Sequence, residues 1–471
     1  MMRRLKPFLM FSLMLSLLVA GNGQGQVNHP ANQPDSSYYR LASTLIDSAL
    51  AHGRAYAMLQ ELVRVGTARL SGSPQAAAAV EWAYQTMKAL GLENVHRQPV
   101  LVPHWVRGEV EYAAIVNSGR FGTVPLSICA LGGSVATPET GITAPVVEVH
   151  SLEEVEKLGD RVKGKIVFYN RPLDPTQRVT FRAYAGAVDQ RTYGAVYAAR
   201  QGAVAVLVRS MSTSLDDVPH TGAMRYKPDV PKIPAAAIST LDAEFLSRAL
   251  KADPELQVRL QLNCRTLPDV RSANVIGEIR GSQHPEEVIL LGAHLDAWDK
   301  GQGAHDDGSG CVHVLEALRL IRALGLKPAR TIRGVLYMNE ENGLRGARAY
   351  ADSARNSGLT HLVAIESDRG GFTPRGFTVG GTDDVLARIQ RWAGLFSEIG
   401  ADRIVRGGGG ADISPLKKLG TVQMGLVVDS NRYFDYHHSD NDTIDKVNQR
   451  ELELGAASLA IMAYVLSMEG I

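Results

Sequence analysis

Four short segments in the second half of this 471-residue chain carry side chains that bind metals and move protons. His294 and Asp296 stand in Gly292-Ala293-His294-Leu295-Asp296, Glu340 and Glu341 in Asn339-Glu340-Glu341, and Asp368 in Glu366-Ser367-Asp368. The fourth segment is His437-His438-Ser439-Asp440-Asn441-Asp442-Thr443. Imidazoles mixed with carboxylates, with no cysteine among them, suit zinc in a catalytic setting, whereas a structural zinc draws more on thiolates. A further segment, Gly303-Ala304-His305-Asp306-Asp307-Gly308-Ser309-Gly310, offers a carboxylate able to reach both metals of a pair. Two metals about 3.5–4 Å apart act as a clamp on an attacking water and a developing oxyanion. Of the adjacent Glu340 and Glu341, one can bind metal while the other takes a proton from that water as general base. Asp296, two residues from His294, is expected to accept the other imidazole N–H, which would orient the ring and raise its basicity. On residue types alone, Asp306 competes with Asp307 for the bridge, and His437 with His438 for one ligand position. His305 reads as a loop residue and His313 as structural. His96, His104, His220 and His361 have no supporting spacing and read as surface or core residues.

The first three segments each end an apolar run of strand type, at 288–292, 333–338 and 362–365, and the fourth follows the run 422–428 after a loop. Helical patterning fills the intervals at 312–324, 344–354 and 385–399, and a closing helix is expected at 451–468. Strand–helix alternation predicts a largely parallel sheet with helices on both faces. In such a sheet, sites form at the carboxyl ends of the strands. Four ends delivering His, Glu, Asp and His to one rim is not what core packing would produce. Upstream, 36–91 reads as helical, with Ser73-Pro74 as a start and Gly91 as a stop for a helix over 77–90, and 95–102 reads as a strand.

Between 117 and 267 the texture changes to short β-branched runs, 146–149, 165–169, 203–208 and 233–238, separated by Gly and Pro, with a helix-like segment at 193–201. This predicts a small, strand-rich α/β domain of its own. The fold class is therefore α/β: a mostly parallel mixed sheet sandwiched by helices, with an inserted β-rich domain. Expected boundaries are 26–116 plus 269–471 for the discontinuous main domain and 117–268 for the insert. Glycines 407–410, followed by Ala411-Asp412-Ile413-Ser414, form a loop of minimal bulk, for which a pocket wall and a surface loop are both open readings. It does not open a helix after a strand in a GxGxxG frame, which argues against nucleotide binding.

Fifty basic residues against 49 acidic ones exclude a strong charge bias, so neither nucleic acid nor a solvating acidic arm is indicated. Cys129, Cys264 and Cys311 lie far apart and form no CxxC pair. One disulfide is conceivable, and an odd count leaves at least one thiol. Arg3, Arg4 and Lys6 precede an apolar run over 8–20 and small polar residues over 21–26, the order of a secretory signal peptide over residues 1–25. The run is short for a bilayer span, and no later stretch reads as a membrane helix, so a secreted or periplasmic protein without stable membrane association is expected.

Taken together, His294-Leu295-Asp296, Asp306-Asp307-Gly308-Ser309-Gly310, Glu340-Glu341, Ser367-Asp368 and His438-Ser439-x-x-Asp442-Thr443 resemble, in order and type, the co-catalytic zinc aminopeptidases and carboxypeptidases. The closer resemblance is to the carboxypeptidase Q branch, also called plasma glutamate carboxypeptidase, through 294–304, Arg69-Leu70-Ser71-Gly72-Ser73 and Tyr433-Phe434-x-x-His437-His438. It covers nearly the whole mature chain. The resemblance implies a di-zinc peptidase in which Asp306 bridges the metals, His294 and Asp368 complete one zinc, and Glu341 and His438 the other. Glu340 would be the general base, Asp306–Asp307 a cis peptide, the insert a protease-associated-like domain, and the assembly a homodimer. The substrate implied is a dipeptide or short peptide. An aminopeptidase on the same scaffold is the nearest rival. A silent binding protein is more distant, because every ligand position and the base are filled, and a one-zinc acyltransferase resembling glutaminyl cyclase is disfavoured by the inserted domain and the bridging Asp306.

Overall fold

The apolar run at 288–292 becomes the centre of the larger of two sheets in a computed structural model that describes residues 36–471; the expected signal peptide lies outside them. The strand His284–His294 runs parallel to Arg330–Tyr337 on one side and to Thr360–Glu366 on the other, and Thr360–Glu366 is parallel to Val422–Val428. Its side chains alternate between two buried faces. Ile289, Leu291 and Ala293 enter one apolar core with helices Ser309–Ala323 and Gln449–Glu469, while Val288 and Leu290 enter another with helix Arg345–Arg355. A strand covered on both faces must be apolar throughout, which is why this run shows no alternation.

The flanks of this eight-stranded sheet are antiparallel. Arg265–Ile279 lies beside Arg330–Tyr337 and pairs outward with Glu93–Val106; on the far side Pro374–Val379 runs against Val422–Val428, and Arg403–Arg406 closes the edge. The helix expected at 385–399 divides into a helix Asp383–Gln390 and a 3₁₀ segment Ala393–Ile399. Gly394 stands in the second piece, where it weakens helical propensity and where a Cβ would meet the Tyr39 hydroxyl at 2.6 Å. The helix starting at Pro74 is capped as its sequence suggests: Ser73 Oγ accepts from the Ala76 N–H at 3.0 Å.

One sequence expectation is corrected by helix Gln449–Glu469. By length and composition it is apolar enough to cross a membrane, but 83% of its most apolar window is buried inside the protein. Its apolarity serves the core formed with Ser309–Ala323 and Ser36–His52. Cys129, Cys264 and Cys311 are all buried and unpaired.

The second sheet draws all eight strands from residues 111 to 262, in the order Gly122–Leu126, Glu111–Ser118, Gln257–Leu262, Ile142–Val149, Ile166–Tyr169, Ala205–Arg209, Ala235–Ile238, Ile128–Ala130. The ladder between Glu93–Val106 and Arg265–Ile279 ends with Trp105 opposite Thr266 and Val106 opposite Arg265. The chain therefore departs for the second sheet and returns from it at adjacent points.

Candidate metal centre

His294 is the last residue of the central strand, and the chain turns there at the rim. Its Nε2 lies 3.2 Å from Asp306 Oδ1 and 3.6 Å from Asp368 Oδ1. His438 Nε2 lies 3.1 Å from Asp306 Oδ2 and 3.0 Å from Glu341 Oε2. The five side chains singled out in the sequence thus meet, and the two oxygens of Asp306 face two different His–carboxylate pairs. One atom each from His294, Asp306 and Asp368 fits within a sphere of mutual distances below 4.8 Å, as does one each from Asp306, His437 and His438.

The aspartate pair is separated by its hydrogen bonds. Asp307 is turned away from the rim: its Oδ1 accepts from Gly310 N and its Oδ2 from His294 N, both at 3.0 Å. Asp306 is presented to the histidines by Asp442, whose oxygens accept from His305 N at 2.7 Å and Asp306 N at 3.0 Å. The Asp306–Asp307 peptide is cis. The histidine pair is separated less sharply. His437 stacks on His438 with centroids 3.4 Å apart, and its Nε2 reaches only 3.7 Å from Asp306 Oδ2. Burial, reinforced by the neighbouring His438, holds His437 well below the usual histidine range.

The expectation for Asp296 is corrected. The His294 ring meets the main-chain carbonyl of Asp296, Nδ1 to O at 2.8 Å, while the carboxylate stays 4.0 Å from that nitrogen. The carboxylate instead accepts main-chain N–H groups across the rim: Asn339 at 2.7 Å, Glu340 at 3.0 Å and Glu341 at 3.4 Å. A tight turn after His294 brings its own backbone oxygen to the ring, which frees the side chain to pin the glutamate loop. Asp296 therefore fixes where Glu340 and Glu341 start.

Further side chains position the rim in roles that the sequence does not show, although Arg69 stands in a motif that carries the resemblance. Arg69, fully buried, donates Nε to Leu295 O at 2.7 Å, Nη1 to Gln302 O at 2.6 Å and Nη2 to Gly303 O at 2.8 Å. It clamps the strand end carrying His294 to the loop carrying Asp306. From the second sheet's side, Thr221 N donates to His438 O at 2.9 Å and the His220 ring meets His437 O at 2.6 Å. His438 sits at φ 61°, so its carbonyl needs such anchoring. No local spacing signals these links, because each joins segments far apart in the chain. His305 stacks on Phe372 and lies parallel to Tyr436, accepts from Gly371 N and takes no part in the cluster; His313 bonds Ser367 Oγ. The 407–410 loop packs behind the rim rather than lining the pocket: a Cβ on Gly410 would lie 1.8 Å from Glu366 Oε1.

The electrostatics describe a site prepared for cations. Burial opposes charge on His294, yet Asp306 and Asp368 hold it well above the usual histidine range. Burial likewise opposes charge on His438, but Glu341 and Asp306 push it up to about 10. Burial, with Asp368, Glu341 and Asp296 nearby, raises Glu340 well above the usual carboxylate range despite His294. Glu341 Oε1 and His438 Nδ1 are buried without a protein partner. An all-imidazole-and-carboxylate donor set with such unspent atoms fits zinc.

His294, Asp306, Glu340, Glu341, Asp368 and His438 all face one pocket of about 650 Å³. Its other wall comes from the second sheet's region and includes Gly132, Tyr184, Arg191 and Met224. A pocket of that size takes a small ligand or short peptide, not a folded chain.

Residues 274–463 match peptidase family M28. Over 453 residues the chain is 37% identical to carboxypeptidase Q of Bos taurus, covering 95% of this chain and 93% of that protein. A crystal structure of a peptidase M28 precursor from Shewanella amazonensis superimposes with a TM-score of 0.88 at 36% identity, covering 92% of this chain and 98% of that one. A zinc aminopeptidase from Bacillus subtilis shares the fold at a TM-score of 0.63 and 20% identity, over 88% of this chain and 95% of that one.

Proposed function

The chain belongs to peptidase family M28, in its carboxypeptidase Q branch; it is a zinc metallopeptidase, and we propose that it hydrolyses dipeptides or short peptides with two zinc ions per chain. One observation carries the count of two: the oxygens of Asp306 point to separate His–carboxylate pairs, 3.2 Å from His294 and 3.1 Å from His438. In this reading His294 and Asp368 hold one zinc, Glu341 and His438 the other, and Asp306 spans both. When bound, the ions supply Lewis acidity, lowering the pKa of water and countering the charge that develops on the scissile carbonyl oxygen.

The remaining chemistry belongs to the chain. Glu340 lines the pocket, and neither histidine that pairs with Asp306 forms an ion pair with Glu340. Its raised proton affinity suits it to take the proton of the attacking water and return it to the leaving amine. Asp296 keeps Glu340 within reach by holding its N–H. The wall drawn from the second sheet's region, whose strands begin at 111, ahead of the 117 expected, and end at 262, before the 268 expected, we assign to an inserted protease-associated-like domain that shapes the cleft and limits substrate length. The basic–apolar–small order of residues 1–26 supports export to the periplasm or outside the cell, and a homodimer is the expected assembly, readable by light scattering.

Glu340→Gln tests the assignment. The variant should bind zinc fully by elemental analysis and lose roughly 10³-fold in kcat. Retained turnover at full zinc occupancy removes Glu340 from the role. The aminopeptidase reading is favoured less, because the likeness to carboxypeptidase Q spans nearly the full length of both proteins.

A further inference from the structure

The charged groups that line the pocket divide into two kinds. Every acid among them, Asp306, Glu340, Glu341 and Asp368, already faces the metal centre, and the cations that remain are Arg191, Arg225 and Arg348. Arg225 and Arg348 are exposed; Arg191 is only 6% exposed. No carboxylate of the described residues lies within ion-pair distance of Arg191. Its Nη2 donates to Tyr184 Oη at 2.6 Å and its Nη1 makes a long contact of 3.5 Å to Thr221 O, while its Nε is buried with no partner. A guanidinium has five N–H donors, so most of this one is unspent.

Locally, that charge is offset only by a cation–π contact, with Arg191 Cζ 5.4 Å from the centroid of the Tyr184 ring. A buried cation without a counter-charge is costly. Arg191 also stands in the first turn of helix Asp189–Arg200, where the helix dipole favours negative charge, not positive. Glycine at 222 makes room for the guanidinium: a Cβ there would lie 2.4 Å from Arg191 Cζ. Both the dipole and the guanidinium become favourable when an anion arrives. Tyr184, having accepted from Arg191, keeps its own hydroxyl hydrogen free to donate, and its ring stacks on Phe434, centroids 4.9 Å apart. The result is an anion receptor on an aromatic wall, in the same pocket as the metal centre.

We infer that Arg191, with Tyr184, receives the free α-carboxylate of the peptide substrate, so that the enzyme selects chains ending just beyond the scissile bond. This rests on the peptidase reading above and deepens it. The planar guanidinium matches a carboxylate in two parallel hydrogen bonds, which a lysine ammonium or a neutral amide does not. A free α-amine has no such receptor, since no pocket acid is left outside the metal centre.

The test compares a dipeptide with its C-terminal amide, on zinc-replete wild type, Arg191→Lys and Arg191→Gln, with zinc content and Tm measured for each. The wild type should prefer the free acid by roughly 100-fold in kcat/KM. In Arg191→Gln the ratio of acid to amide should fall toward one, with the loss on the acid carried in KM, and Arg191→Lys should fall between. No wild-type preference, or an equal loss on acid and amide in the glutamine variant, overturns the inference and leaves the peptidase reading standing. If zinc-replete wild type cleaves neither substrate and no N-blocked analogue, the peptidase reading itself fails. Should Arg191→Gln not fold, product inhibition of the wild type decides: a free amino acid should inhibit far more strongly than its amide, and equal inhibition overturns the inference.

Discussion

Replacing Arg69 probes how the rim is held without touching any group that faces the pocket's metal centre. Its three short bonds, 2.6 to 2.8 Å, all end on carbonyls: Leu295 beside His294, and Gln302 and Gly303 at the start of the loop to Asp306. Arg69→Met fills most of the volume but leaves up to three buried carbonyls unpaired, each costing about 1–3 kcal/mol. Removing the buried positive charge returns part of that, so a net loss of about 4 kcal/mol is expected. Unfolding a chain of 471 residues carries an entropy of about 1 kcal/mol/K, so Tm should fall by about 4 °C. Arg69→Lys keeps the charge but reaches one or two carbonyls and should fall between. Because the clamp joins the His294 and Asp306 segments, zinc affinity should also weaken, by about 10- to 100-fold. Differential scanning of the chelated and zinc-loaded forms measures the first effect, and competition with a chromogenic chelator the second. An Arg69→Met protein with Tm and zinc affinity unchanged would refute the clamp.

The aspartate pair gives a paired prediction: Asp306→Asn should lose zinc by elemental analysis, whereas Asp307→Asn should keep it and lose only about 1–2 kcal/mol of stability, from one main-chain N–H left without an acceptor. Stability at alkaline pH should respond to Glu453, far from the rim, whose Oε2 is buried without a partner and whose carboxyl is pushed up to about 7, by burial first and then by Glu316. Its folded value lies above its unfolded one, so the folded state holds the proton more tightly; the contribution is full below about pH 4.5 and lost as pH rises through 7. Glu453→Gln does not titrate, so relative to wild type it should gain up to about 3 kcal/mol of stability at pH 8, with a higher Tm, and gain nothing at pH 4. A gain of the same size at both pH values would contradict the assignment.

Much of this protein is written locally. The apolar runs ahead of His294, Glu340 and Asp368 report strands buried on both faces, and the helical patterns between them report parallel crossovers, so the rim and its His, Glu and Asp residues follow from periodicity and order. Ser73 announces its helix because a cap is a contact three residues long. The antiparallel strand Pro374–Val379 is not announced in this way, since a short strand broken by Gly376 shows no period to read.

What tertiary structure decided is direction and company. Asp306 and Asp307 are alike in sequence, and so are His437 and His438; how each side chain is aimed depends on the Asp442 carboxylate accepting from Asp306 N–H, and on the Gly310 and Thr221 N–H groups donating to Asp307 Oδ1 and His438 O. Asp296 holds the glutamate loop rather than the imidazole because the turn after His294 brings a carbonyl to the ring first. Arg69 belongs to a motif the sequence singles out, but its role as a clamp among carbonyls appears only on folding, and Arg191 looks like any surface arginine until folding buries it without a counter-charge. Hydrophobic periodicity records how a segment meets the core, whereas the aim of a polar side chain at a loop is set by hydrogen bonds to residues that only the fold brings near.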